Sequence, residues 1–297
     1  MIKDKRVAVI GALMDLGAIC KGVDKGPFAV RKTGFIEKLR NCGFDITDKG
    51  DVAPHKPRTA GDTRMRYEKE INEANARLYI ETMAAHGEGR IPVVVGGDHS
   101  VSAGSVSASL DVYKKIGIIW VDAHADFNDD KITPTGNIHG MPLSAVCGCG
   151  PDSLVSFSHK RADPKNVVII GARSIDPLER IKLTENGVTV FSVDDILSLG
   201  IEKVVDKAIS TAAKNTYGIH LSFDMDALDP EQAPGVGTPV PDGLSVGEAE
   251  YICNTVREKS RLVSVDVVET NPLLDRDGLT AELAAKLILC CLGAKES

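Results

Sequence analysis

Ile116-Gly-Ile-Ile-Trp120-Val-Asp122-Ala-His124-Ala-Asp126 is the stretch that decides how this chain is read. Its first half is a run of β-branched and aromatic residues without polar interruption, the composition of a strand covered on both faces. Its second half puts a carboxylate, an imidazole and a carboxylate at alternate positions directly after that strand. Alternate side chains of an extended backbone share one face, so the spacing predicts that all three point into one pocket at the strand's carboxyl end. Any one of them alone reads as a turn former or helix cap; three together read as a ligand set.

Similar apolar runs recur at Val7–Ile10, Pro92–Val95, Val167–Ile170, Val188–Phe191, Gly218–Phe223 and Leu262–Val268. Helix-like segments lie between them, at Tyr67–His86, Asp194–Ile209, Val246–Lys259 and Thr280–Leu292. Strand alternating with helix predicts the α/β class: a three-layer α/β/α sandwich around a mainly parallel sheet of about eight strands. No Pro/Ser-rich linker, composition shift or fixed-period repeat divides the chain, so one domain over residues 1–297 is expected. The longest predicted loop, Asp126 to Gly140, holds Asn128, Thr135, Gly136, Asn137 and His139. A loop of that length in a compact α/β domain is commonly functional.

The net charge of −7 is spread along the 297 residues, and there is no run of about five or six basic residues of the kind that binds nucleic acid or an acidic membrane. A small soluble partner is expected, with no nucleic acid and no membrane. No stretch approaches ~18 uninterrupted apolar residues, and the amino-terminal apolar run is too brief for a signal peptide, so a cytoplasmic location is expected. The seven cysteines are scattered. Neither Cys147-Gly-Cys149 nor Cys290-Cys291 has the spacing of a zinc site, and all read as buried or inert thiols.

Two further strands repeat the logic of the first. The run ending at Phe223 delivers Asp224-Met-Asp226, two carboxylates that would raise one another's pKa unless a cation lay between them. The run ending at Val95 delivers Gly96-Gly97-Asp98-His99-Ser100, in which the glycines allow close backbone approach and His99 follows as a ligand. Three strand ends therefore carry ligand types, and in open α/β sheets ligands bind outside the carboxyl ends of strands. His99, Asp122, His124, Asp126, Asp224 and Asp226 are too many for one catalytic zinc, which takes about three protein ligands. Four carboxylates balance two divalent ions if some of them bridge. An oxygen-rich set with imidazole and no thiolate suits Mn²⁺, with Co²⁺, Ni²⁺ and Fe²⁺ as alternatives on ligand grounds.

Gly96-Gly-Asp-His-Ser100, Asp122-Ala-His-Ala-Asp126 and Ser222-Phe-Asp-Met-Asp-Ala-Leu-Asp-Pro230 together resemble the signature of the ureohydrolase superfamily, most closely its arginase branch. The similarity runs from Met14-Asp-Leu-Gly17 and Lys21-Gly-Val-Asp-Lys-Gly-Pro27 to Val268-Glu-Thr-Asn-Pro272. This resemblance implies a parallel eight-stranded sheet, a binuclear manganese centre and a homotrimer or homohexamer. One metal would be held by His99, Asp122, Asp126 and Asp224, the other by His124, Asp122, Asp224 and Asp226, with Asp122 and Asp224 bridging. The implied reaction is hydrolysis of the L-arginine guanidinium to L-ornithine and urea by a hydroxide bridging the two ions.

The same resemblance assigns roles around that centre. Asp126 would accept a hydrogen bond at the reacting centre, Glu269 would pair with the guanidinium, and His139 would shuttle a proton. Thr135-Gly-Asn137-Ile-His139-Gly-Met-Pro142 matches the loop whose hydroxyl and amide groups hold the α-carboxylate, here Thr135 and Asn137 with help from Asn128. Asp176 and Glu179 would lie near the α-amino group, although Asp176-Pro177 also reads as a plain helix start. Thr135 departs from the family's usual serine and Thr270 from its usual valine. Agmatine or another guanidino compound is the alternative substrate, and a silent metal-binding regulator is the alternative outside enzymes.

Overall fold

The apolar runs pair into one sheet of eight strands, in a computed structural model that describes residues 5–57 and 59–294. The strands are β1 (Arg6–Ala12), β2 (Asp45–Val52), β3 (Ile91–Val95), β4 (Gly117–Val121), β5 (Val167–Ala172), β6 (Thr189–Ser192), β7 (Ile219–Asp224) and β8 (Leu262–Val268). Their order across the sheet is β2-β1-β3-β8-β7-β4-β5-β6, and every neighbouring pair is parallel.

Alternate side chains along the strands feed two separate cores. Val93, Ile119, Phe223 and Val267 pack with Phe35, Val204, Ile252 and Ile288 on one face. Val94, Trp120 and Ile169 pack with Ile71, Val106 and Leu143 on the other. Full burial of such a side chain contributes about 1.5–3 kcal/mol, and a strand with a core on both sides collects this at every position. That is why the runs are continuous in the sequence, and the outcome is the expected α/β/α sandwich.

Three departures from the sequence reading have a clear physical cause. The edge strand β2, Asp-Ile-Thr-Asp-Lys-Gly-Asp-Val, buries only Ile46; its charges suit an edge that must not pair further, and they hide it from a search for apolar runs. The helix predicted over Asp194–Ile209 is two helices, Val193–Leu199 and Ile201–Ala212, broken at Gly200 with φ 84°. The helix Ser102–Tyr113 lies outside the predicted segments, because apart from Val106 and Leu110 its buried residues are serine, alanine and glycine. There Gly104 lets the helix Glu68–Gly87 approach, since a Cβ at 104 would stand 2.7 Å from the Asn75 carbonyl oxygen.

Between β3 and β7, two of the strands expected to supply ligands, lies β8. The ligand-bearing tips are therefore not all adjacent, and the intervening strand is the one that ends at Glu269. Among the described residues no helix is long and apolar enough to cross a membrane.

Candidate metal centre and substrate cavity

The carboxyl ends of β3, β4 and β7 share one local device. Asp98 Oδ1 accepts the Ser100 N–H at 3.1 Å, Asp122 Oδ1 the His124 N–H at 2.7 Å and Asp224 Oδ1 the Asp226 N–H at 2.7 Å. Such an Asx turn curls the chain as soon as the strand ends. The ligand-type side chains thus converge from bends, not from the extended backbone that their spacing suggested. Asp126 departs furthest, at φ 51°. A left-handed non-glycine residue costs on the order of 1 kcal/mol; here the Leu143 and Ser144 N–H groups donate to its carbonyl and hold it.

His99 Nδ1 stands 3.1 Å from Oδ2 of each of Asp122, Asp126 and Asp224. His124 Nδ1 stands 3.1 Å from Asp226 Oδ2 and 3.4 Å from Asp122 Oδ1. Two groups result, His99/Asp122/Asp126 and Asp122/His124/Asp226, each with its ligand atoms within 4.8 Å of one another. Asp122 belongs to both, with one oxygen toward each histidine. Neighbouring donors around a six-coordinate ion with bonds of about 2.1 Å lie about 3 Å apart, so the observed spacings fit divalent cations.

The electrostatics point the same way. Burial, reinforced by Asp226 and Asp122, holds the Asp224 carboxyl well above the usual range, and burial with Asp122 pushes Asp126 up to about 6. Burial opposes charge on His124, yet Asp226 and Asp122 carry its pKa up to about 12. Asp126 Oδ2 is buried without a hydrogen bond of sound geometry. One imidazole proton cannot satisfy three carboxylates, and cations in the two groups would relieve all of these conditions at once.

A supporting layer lies behind the ligand-type residues. The Trp120 ring stacks on His99 with centroids 3.9 Å apart, and its Nε1–H donates to Asp122 Oδ2 at 2.9 Å. His99 Nε2 pairs with Ser222 Oγ at 2.8 Å, which directs Nδ1 toward the carboxylates. Ser222 continues through Ser102 to Asp266, which also accepts from Ser105 and pairs with His220 Nε2 at 3.0 Å. The sequence reading missed these residues. Their signal was the alternation His220, Ser222, Asp224 along β7, a polar face within an otherwise apolar strand.

Above the cluster lies a cavity of about 210 Å³. Asn128, Thr135, Asn137, His139, Asp176 and Glu179 line it beside His124, Asp126, Asp224 and Asp226. Thr238 and Ser174, not singled out from the sequence, line it too, and Thr238 Oγ1 donates to Asp226 Oδ2 at 2.8 Å. Asn128 Nδ2 donates to Asp176 Oδ2 at 3.0 Å. Glu179 closes the capping box of helix Pro177–Asn186 by accepting the Asp176 N–H, and it also accepts the Phe127 N–H at 2.8 Å. The helix-start reading of Asp176-Pro177 and its place at the cavity therefore hold together. Burial pushes Glu179 up to about 7.

Glu269 is not among the residues that line this cavity; it is buried just after β8, with φ 63°, one hydrogen bond behind the lining His139. Its Oε1 accepts the His99 N–H at 2.9 Å and pairs with His139 Nδ1 at 3.0 Å. Burial disfavours charge on His139, but the hydrogen bond to Glu269 together with the charges of Glu269, Asp126 and Asp98 outweighs it and raises the pKa to about 9. Thr135 accepts the Asn137 N–H through Oγ1 at 3.2 Å, so its hydroxyl helps to shape the loop. Thr270 is buried with Oγ1 unpaired among the described residues, and nothing in the structure explains its hydroxyl.

Residues 5–293 match the family model described as the Arginase family. The chain belongs to the arginase family. The arginase of Brevibacillus brevis is 41% identical to it over 295 residues, 98% of this chain and 99% of that protein. The solved structure of Bacillus caldovelox arginase matches this arginase-family fold with a TM-score of 0.94 at 38% identity, covering 98% and 99% of the two chains. Entamoeba histolytica arginase, solved in complex with L-ornithine, matches with a TM-score of 0.90 at 31% identity, covering 98% and 100%. The chain is thus an arginase-family hydrolase, and two overlapping groups of ligand-type residues lie at its strand tips under a polar cavity.

Proposed function

We propose that the chain acts as one domain that hydrolyses L-arginine to L-ornithine and urea at a pair of divalent ions, with Mn²⁺ as the resident metal. The observation that carries this reading is Asp122, shared by two ligand groups beneath a cavity lined by amides, hydroxyls and carboxylates. His99, Asp122, Asp126 and Asp224 would hold one ion; His124, Asp122, Asp224 and Asp226 the other. Such a pair would, when bound, acidify water so that hydroxide is available near neutral pH.

The side chains then divide the remaining work. Glu269 presents a carboxylate to the planar guanidinium, a pairing that fixes orientation as well as charge. Asp126 accepts a hydrogen bond at the reacting centre. His139, charged up to about pH 9, is a proton source for the departing ornithine amine. Thr135, Asn137 and Asn128 serve the α-carboxylate, and Asp176 and Glu179 the α-ammonium. The bound L-ornithine of the Entamoeba histolytica relative is the product this reading requires. A cytoplasmic homotrimer or homohexamer completes the proposal, with the exposed Phe28, Leu273 and Leu274 as apolar surface for subunit contact.

The test is urea release by metal-stripped protein reconstituted with Mn²⁺, given arginine and agmatine in parallel. Metal-dependent turnover that favours arginine is expected. Equal or faster release from agmatine would overturn the substrate assignment, and no release from either would overturn the enzymatic one.

A further inference from the structure

The loop assigned to the α-carboxylate is held from behind by a residue outside the cavity. Arg66 Nη1 donates to Asn137 Oδ1 at 3.1 Å, and the Arg66 backbone N–H donates to the Gly136 carbonyl at 3.2 Å. Gly136 permits this contact: its φ is 72°, and a Cβ there would stand 1.9 Å from the Thr63 carbonyl oxygen. The loop therefore lies directly on the segment 63–66.

A guanidinium has five donors and no acceptor. It can engage only the oxygen of the Asn137 amide, which removes the two-fold ambiguity of that group. With Oδ1 committed to Arg66, the Nδ2 hydrogens are left as donors, and no described residue accepts from them. Asn137 lines the cavity and Arg66 does not. Among the described residues the cavity lining includes Asp126, Asp176, Glu179, Asp224 and Asp226 and no lysine or arginine. The proposed metal ions take Asp126, Asp224 and Asp226, which leaves Asp176 and Glu179 as the carboxylates that a substrate carboxylate meets there, and Arg66 is a cation one hydrogen bond behind the lining amide.

We propose that Arg66 is a positioning residue that sets selectivity for substrates bearing an α-carboxylate, by locking the Asn137 amide with its donors toward the cavity. The proposal rests on the reading of Thr135 and Asn137 as the carboxylate site. Without Arg66 the amide is free to turn its oxygen toward the carboxylate, which converts an attraction into a repulsion. Groups that do not reach this end of the cavity should not sense the change.

The experiment is calorimetric binding of L-ornithine and of putrescine, its decarboxylated counterpart, to Mn²⁺-loaded wild-type, Arg66→Ala and Arg66→Lys proteins, with steady-state kinetics on arginine. Arg66→Ala should weaken ornithine binding about tenfold, the worth of one charge-assisted hydrogen bond, raise KM for arginine similarly, and leave kcat and putrescine binding as in wild type. Arg66→Lys keeps a donor-only cation and should restore most of the preference. If wild-type protein does not prefer ornithine, the carboxylate site itself is wrong and the clamp falls with it. If wild type prefers ornithine but Arg66→Ala keeps that preference, or if lysine does no better than alanine, the clamp alone is overturned.

Discussion

His139 and Glu269, 130 positions apart in sequence, are hydrogen bonded between Nδ1 and Oε1 at 3.0 Å. The same oxygen accepts the His99 N–H. One carboxylate just after β8 thus ties the cavity loop to the segment after β3, and both contacts depend on where its left-handed backbone points.

That pairing predicts how His139 titrates. Its raised pKa means that the stabilising pair is complete below about 6.5, the unfolded value, and is lost as pH rises through about 9. Glu269→Gln removes the negative charge and keeps the shape. The His139 resonance followed by NMR should then titrate below the wild-type midpoint; an unchanged midpoint would show that another group holds the proton.

Removing the proton source should damage turnover and spare the metal centre. His139→Asn is expected to lower kcat by about 10² to 10⁴ with the same metal content as wild type. Loss of bound metal in this variant would mean that His139 supports the ligands instead.

A second histidine, outside the cavity lining, contributes to acid stability. Burial, then the nearby His220, lowers the His86 pKa to about 3, and its ring nitrogens pair with Ser109 Oγ and Tyr113 Oη. As pH falls below about 6.5 the unfolded chain takes up a proton there that the folded chain refuses, so stability is full above 6.5 and declines on acidification. Between pH 7.5 and 5 this one group removes about 2 kcal/mol. His86→Gln should show a correspondingly smaller fall in urea midpoint over that interval; equal falls in both proteins contradict the assignment.

Gly97 packs where no side chain fits, since a Cβ would stand 1.8 Å from the Met14 carbonyl oxygen. Its N–H donates to the Ala12 carbonyl and its own carbonyl accepts the Glu269 N–H, so the backbone cannot move aside cheaply. Gly97→Ala should cost more than about 3 kcal/mol, read as soluble yield and denaturant midpoint. A near-wild-type midpoint would show that Met14 yields.

Which parts of this were legible in the sequence follows from the physics of each part. Strands with a core on both faces must be apolar throughout, so β3, β4 and β5 announce themselves, whereas β2 buries one side chain and is hidden by its charges. Ligand-type residues clustered at Asp122, His124 and Asp126 were visible because each is local to one strand end. The bends that aim them were not, since Asp126 at φ 51° is fixed by contacts with Leu143 and Ser144 farther along the chain. Long-range support was least legible: nothing in the spacing of Trp120, Ser222 or Arg66 says that they touch His99 or Asn137.

Metal stoichiometry tests the account most directly. Wild-type protein stripped and titrated with Mn²⁺ should bind two ions per chain, one for each ligand group, and Asp122→Ala, which takes a carboxylate from both, should weaken both events. A single ion in wild type, or two undiminished ions in Asp122→Ala, would contradict a centre built around Asp122.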